Sequence, residues 1–253
     1  MNRHFTGIFA VLLLLFGSVV KPVSASAGKE LTVAVAANFA VAMEHISALF
    51  TEETGLPVRL TVSSTGRLYT QIKNRAPYDL FYAADSSRPD LLFTEKLCAE
   101  PNRYATGEIV LWSSSEEICS LATWQEVVTS SRVKKIAIAN PDTAPYGNVA
   151  RETLEKERLY QAVESKLVYG SNVGQSFQYA AMGVVDAAFV ASSSARSEEG
   201  KAGCSWQVQE APKVEQKACM TLYGRNVESA KRFLEFTLSD RIADIREKFG
   251  YGR

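Results

Sequence analysis

The chain has 253 residues, 46% of them hydrophobic and 22% charged, with 28 basic side chains against 28 acidic ones. That length suits one large domain or two small α/β lobes, and the balance leaves no basic excess for nucleic acid or an anionic membrane surface. An anionic ligand would have to be held by local geometry rather than by a general positive field.

The first element is MNRHFTGIFAVLLLLFGSVVKPVSASAGKE. Arg3 gives a basic start, an apolar run extends from Phe5 to Val20, and Ala25-Ser26-Ala27 has the A-x-A pattern. Residues 1–27 are therefore expected to be a signal peptide, cut after Ala27. The run falls short of the ~20 apolar residues of a membrane span, and no cysteine near the cut offers a lipid anchor. Loss of Arg3 and Lys21 would leave 26 basic residues against 28 acidic, a net charge of about −2. The mature protein is expected to be soluble and exported.

Behind the signal, LTVAVAANF reads as a buried strand, and Phe39, Met43, Ile46 and Phe50 follow at helical spacing. PVRLTVSS is a second strand and TGRLYTQIKNRAP a helix with Leu68 and Ile72 inward. YDLFYAAD is a third strand and RPDLLFTEKL a short helix. A second series runs through GEIVLWSSS, the helix TWQEVVTSS, the strand VKKIAIAN and the helix GNVARETLEKERLY, with Val149, Leu154 and Leu159 on one side. KLVYGSNVGQSFQYAAMG is strand, loop and helix; VDAAFVASSSA and KACMTLYG are strands. SAKRFLEFTLSDRIADIREKFG closes the chain as one or two helices, with Phe233, Leu234, Phe236, Leu238, Ile242 and Ile245 inward. The alternation implies parallel strands with right-handed crossovers, arranged as two α/β lobes.

Four cysteines, Cys98, Cys119, Cys204 and Cys219, fall in no C-x-x-C or Cys/His cluster, which argues against zinc. An even number in an exported chain suggests two disulfides. The local pairing, Cys98–Cys119 with Cys204–Cys219, is the expectation, although the other two connectivities stay open.

Catalytic signatures are missing. His45, the one histidine beyond the signal, sits mid-helix, and no G-x-S-x-G, P-loop, post-strand G-x-G-x-x-G or H-E-x-x-H is present. Glu52-Glu53 and Glu116-Glu117 lie in plainly polar stretches. What recurs is a strand ending in small polar residues before a helix start, at VAANFAVAM, VSSTGRLY, APYGNVAR and GSNVGQSF. Asn38 could cap the first helix, and Ser64 or Thr65 the second. Helix N-termini carry unpaired N–H groups and about +0.5 of a charge. Several converging on one cleft would cage an anion without cationic side chains. The loops AANF, SSTG, APYG and SNVG hold no acid, which suits a fully ionised tetrahedral dianion; hydrogenphosphate would need an acceptor for its O–H. Asp85 and Asp142, close by in sequence, count against this.

LTVAVAANFAVAM, SSTGRLYTQI, APYDLFYAAD, ANPDTAPYGNVARETL and the terminal EKFGYGR together resemble the periplasmic molybdate-binding proteins of ABC importers, over essentially the whole mature chain. The resemblance implies a type II periplasmic binding protein fold: two lobes joined by two crossing segments, with the ligand closed between them. On this reading lobe I comprises residues 28–108 and 220–253, and lobe II residues 109–219. It further implies a ligand set of Asn38, Ser64 or Thr65, the Val173 N–H and Tyr146. Many members of that family place a tyrosine where this chain has Ala191, and Tyr146 could restore the missing hydroxyl. The implied function is capture of molybdate, and of tungstate, for an inner-membrane ABC permease by a monomer without cofactor or catalysis. Rivals are a receptor of the same fold for sulfate or another oxyanion, and an exported hydrolase with an unrecognised carboxylate site.

Overall fold

Strands that read as unbroken apolar runs must be covered on both faces, and LTVAVA is such a run. It forms β1 (Leu31–Ala36), five of whose six residues are buried. The computed structural model describes Met1 and residues 30–252, so the signal peptide and its cut after Ala27 lie outside the described residues. After β1 come α1 (Ala40–Thr54), β2 (Val58–Ser63), α2 (Thr65–Lys73), β3 (Leu80–Tyr82), α3 (Ser87–Thr94) and β4 (Asn102–Gly107). The chain then crosses to a second sheet through β5 (Ile109–Ser113), α4 (Glu116–Cys119), α5 (Trp124–Thr129), β6 (Ile136–Ala139), α6 (Pro145–Lys156), α7 (Tyr160–Val163), β7 (Leu167–Gly170), α8 (Val173–Ala181), β8 (Ala187–Ala191), α9 (Ser192–Ala195) and β9 (Cys204–Gln207). It returns through β10 (Val214–Met220) and ends in α10 (Val227–Leu238) and α11 (Ala243–Lys248).

The two five-stranded sheets have the same plan, β2-β1-β3-β10-β4 and β7-β6-β8-β5-β9. In each, three parallel strands adjoin an antiparallel strand supplied by a crossing segment: β10 beside β3, and β5 beside β8. The antiparallel strands depart from the purely parallel pairing that strand–helix alternation suggests. β10 also pairs with β4 in the first sheet, so the chain rejoins lobe I by Val214, six residues before the position read from the sequence.

The helical stripes face the cores as their spacing requires. Phe39, Met43, Ile46 and Phe50 are buried on one side of the first sheet, where Phe50 meets Phe233 edge-to-face at 4.9 Å. Leu68 and Ile72 are buried on its other side with Phe81 and Leu92. His45 lies on the exposed face of α1, with its ring 5.3 Å from that of Phe249. Asp79, buried at the start of β3, accepts hydrogen bonds from the backbone N–H groups of Thr32, Arg225 and Asn226, and so ties the entrance of α10 to the sheet.

The disulfide arrangement corrects the sequence expectation. The bridge is Cys119–Cys204, closing 85 residues, and neither Cys98–Cys119 nor Cys204–Cys219 forms. The reason is topological: β5 and β9 are neighbours, with Ser113 opposite Cys204, and α4 follows β5 directly. Cys98 and Cys219 instead belong to lobe I, where both are buried free thiols within one apolar cluster.

Candidate functional site in the cleft between the lobes

All three parallel strands of each sheet point their carboxyl ends at the gap between the lobes, the usual ligand position in open α/β sheets. The cleft there has a free volume of about 10 Å³, close to the minimum that admits one water molecule. Lobe I lines it with Ala36–Asn38, Ser64–Thr65 and Ala84, and lobe II with Ala144–Tyr146 and Asn172–Val173. Asn38, Ser64, Thr65, Tyr146 and Val173, picked out in the sequence, are thus brought together around one space. No acidic or basic side chain lines it. Asp85 is paired with Arg88, and Asp142 is exposed, so neither of the two nearby acids supplies an acceptor.

Four helix entrances meet here, each set by local sequence. α2 begins at Ser64, whose extended backbone makes it the N-cap, yet its side chain makes no capping bond. Instead the Ser64 hydroxyl is buried without any hydrogen-bond partner. Its neighbour differs: Thr65 Oγ1 accepts the Ala84 N–H at 3.0 Å, fixing the strand-end loop behind the cleft. α6 begins after a turn tied by Asn140, whose carbonyl accepts from the Thr143 and Ala144 N–H groups. Pro145 then occupies the first helical position, where its missing N–H costs nothing. α8 is capped by Asn172, whose side chain accepts the Gln175 N–H at 3.0 Å. The N–H groups of Tyr146 and Val173 stand in these first turns with no partner among the described residues.

Asn38 corrects a sequence expectation. It does not cap α1, which is entered through a short 3-10 turn, Ala37–Phe39, without a side-chain cap. Its carboxamide nitrogen reaches Gln216 Oε1 on β10 at 2.8 Å, and its Oδ1 is left buried and unpartnered. Its carbonyl accepts from the hydroxyls of Ser193 and Tyr251.

Tyr146 reaches across the lobes. Its hydroxyl accepts from Gln216 Nε2 at 3.3 Å and lies against Gly107, on the other crossing segment. A Cβ at Gly107 would stand 2.1 Å from that oxygen, so only glycine leaves room for the tyrosine. Burial drives the Tyr146 phenol well above its ordinary pKa, and the nearby Tyr251 adds to this, so the phenol stays protonated. Tyr146 and Ala191 belong to the same buried apolar cluster.

The lobes also latch directly. The Gly66 N–H donates to Thr143 O at 2.8 Å, Arg88 donates to Asp142 O at 3.2 Å, and Ser193 Oγ donates to Asn38 O at 2.8 Å. A Cβ at Gly66 would meet Thr143 O at 2.9 Å, so that latch also depends on a glycine. Sequence reasoning missed Gln216, Tyr104, Tyr251 and Ser193, which stand behind the cleft on strands and tails with no local motif. Nor did it single out Asn172, although the Asn in SNVG is a typical N-cap.

Residues 31–252 match the sequence pattern described as bacterial extracellular solute-binding protein. The chain belongs to that family. This solute-binding protein is 37% identical over 230 residues to the molybdate-binding protein ModA of Rhodobacter capsulatus, covering 89% of each chain. It is 34% identical over 234 residues to ModA of Azotobacter vinelandii, covering 90% of this chain and 92% of the relative. Among solved structures it superposes on the Azotobacter vinelandii periplasmic molybdate-binding protein with a TM-score of 0.83 at 28% identity, over 88% of this chain and 99% of the other. The two-lobed α/β fold is thus that of the periplasmic binding proteins. Among its described residues, no group of three or more His, Cys, Asp or Glu side chains could hold a bare metal ion.

Proposed function

We propose that the protein is a periplasmic receptor that captures molybdate, and tungstate with it, and hands it to an inner-membrane ABC permease. Similarity to molybdate-binding relatives over nine-tenths of the chain supports the ligand class. The observation that carries the reading is the cleft: about 10 Å³, no charged lining, and a buried Ser64 hydroxyl with nothing to bond. A space that small leaves no room for sugars, amino acids or other extended solutes. A buried hydroxyl without a partner costs about 1–3 kcal/mol, which a ligand oxygen would recover.

In this reading Ser64 Oγ, the Asn38 carboxamide and the N–H groups of Tyr146 and Val173 are donors to a tetrahedral dianion. Thr65 holds the loop rather than the ion, since its oxygen already accepts from Ala84. The helix entrances supply partial positive charge where a lysine would demand a counter-ion. Lobe I brings Asn38 and Ser64, and lobe II brings Tyr146 and Val173, so the cage is complete only when the lobes close. Selectivity against hydrogenphosphate follows because no carboxylate lines the cleft to accept its O–H. No cofactor takes part, the receptor acts as a monomer without nucleic acid, and the chemistry is binding and release. His45, exposed and away from the cleft lining, gives a hydrolase nothing to work with.

Native mass spectrometry of the mature protein after incubation with equimolar molybdate, sulfate and phosphate tests this. The expected spectrum shows one retained molybdate per chain, lost on unfolding. A retained sulfate with molybdate excluded would assign the receptor to sulfate, and an ion-free spectrum would defeat the reading.

A further inference from the structure

Behind Asn38 lies a buried polar network whose donors and acceptors do not balance as placed. Gln216, fully buried on the crossing strand β10, accepts at Oε1 from Asn38 Nδ2 and from the Tyr104 hydroxyl, both at 2.8 Å. Its Nε2 donates to the Tyr146 hydroxyl at 3.3 Å. Three mismatches result. Tyr104 has one proton for two acceptors, Gln216 Oε1 and Ala83 O at 3.1 Å. Among the described residues, the Tyr146 hydroxyl proton is given no acceptor. Asn38 Oδ1, the acceptor of a residue that lines the cleft, has no donor at all. Buried polar groups in folded proteins rarely stay unpaired.

Turning both carboxamides end for end, which hardly changes their shape, removes all three. Gln216 Nε2 then donates to Asn38 Oδ1 and to the Tyr104 oxygen, while Tyr104 gives its proton to Ala83 O. Gln216 Oε1 accepts the Tyr146 proton. The Asn38 N–H₂ takes the place of the orphaned oxygen at the cleft. The turn gives up the long 3.4 Å bond from Asn38 Nδ2 to the Tyr251 oxygen, and the donor left over at the cleft is the one an oxyanion needs.

We propose that Gln216 is a positioning residue: it sets the Asn38 carboxamide with its nitrogen toward the ligand and, by holding the Tyr146 hydroxyl of the opposite lobe, couples that donor to lobe closure. This rests on the oxyanion-receptor reading above. It also changes the role of Tyr146, whose hydroxyl serves the hinge while its backbone N–H serves the ion. The crossing segment is thereby a sensor of the closed state, since Gln216 meets Asn38 of lobe I and Tyr146 of lobe II together.

A double-mutant cycle in the mature protein, read by titration calorimetry with molybdate, tests the assignment. Gln216→Met should weaken binding about tenfold in the otherwise natural protein, the loss typical of one hydrogen bond to a charged group. In an Asn38→Ala background, already weaker, it should change binding by less than about twofold, because Gln216 acts through Asn38. An equal loss in both backgrounds, or none in either, overturns the proposal while leaving the receptor reading intact. Absence of binding by the natural protein overturns both. If Gln216→Met is too unstable to purify, the side-chain ¹⁵N–¹H resonances of Asn38, identified by their loss in Asn38→Ser, decide. The proposal requires them to shift on molybdate addition while the Gln216 resonances persist, protected from exchange; unmoved Asn38 resonances overturn it.

Discussion

Ser64 and Thr65 are adjacent hydroxyl residues at one helix entrance, and the structure gives them opposite duties. Ser64→Ala removes a hydroxyl that is buried and bonds nothing in the free protein. Its loss should leave stability unchanged or slightly raised, because no hydrogen bond is broken and a desolvated polar group is removed. With ligand present the same hydroxyl donates to a dianion, an interaction of about 1.5–3 kcal/mol. That converts to a Kd increase of about 10- to 150-fold. Thr65→Val does the reverse: it strands the buried Ala84 N–H, now paired at 3.0 Å, at a cost of about 1–3 kcal/mol of stability. At about 2–4 °C per kcal/mol for a chain of this size, the melting temperature should drop by roughly 2–12 °C. Calorimetric titration with molybdate and thermal unfolding of both variants separate the two duties. If Ser64→Ala unfolds early but binds normally, the assignment of Ser64 as a ligand donor is wrong.

Other expectations follow from the same geometry. Gly66→Ala places a methyl 2.9 Å from Thr143 O across the cleft, so binding should weaken at least tenfold through impaired closure, with the melting temperature of the ligand-free protein little changed; small-angle scattering would show a more open form with ligand. Breaking the bridge by Cys119→Ser frees a loop of 85 residues and should cost about 4–5 kcal/mol by the loop-entropy relation, read in denaturant unfolding, whereas Cys98 and Cys219 should react with an alkylating agent only after unfolding because both are buried. Stability should fall as pH rises past about 10, where tyrosines of the unfolded chain ionise. Burial holds Tyr82, Tyr104, Tyr146 and Tyr251 above that value, so the unfolded state loses protons that the folded state keeps, and the slope of stability against pH is negative there. An unfolding series from pH 8 to pH 11 checks the sign.

Much of this architecture could be read from local pattern. The buried stripe of α1 and the apolar runs of β1 and β6 are period signals that burial enforces, and both appear where the spacing puts them. The helix entrances of α6 and α8 were visible for the same reason: a proline or a cap at the first turn is a local requirement; α2 starts at Ser64, whose side chain makes no capping bond. What the sequence could not show depends on distant pairing. β5 and β10 run antiparallel because a chain crossing between lobes enters each sheet from the side opposite to its βα units, and no local period records that direction. The Cys119–Cys204 bridge follows from β5 lying next to β9, 85 residues away, and short-loop reasoning is blind to it. Gln216 sits in the ordinary strand VEQKACM and becomes important only when it meets Asn38, 178 residues earlier, and Tyr146, 70 residues earlier. Asn38 illustrates both sides: its position at a strand end marked it for the cleft, but its partner on β10, rather than the start of α1, decides what its side chain does.

The central claim is that a cleft of donors without a built-in acceptor selects a fully ionised tetrahedral oxyanion. Titration calorimetry of the mature, ligand-stripped protein with molybdate, tungstate, sulfate and phosphate at one pH addresses it directly. The structure predicts tight one-to-one binding of molybdate and tungstate, and phosphate weaker by at least the 10- to 100-fold expected for one unpaired buried O–H. Phosphate binding as tight as molybdate binding would contradict it.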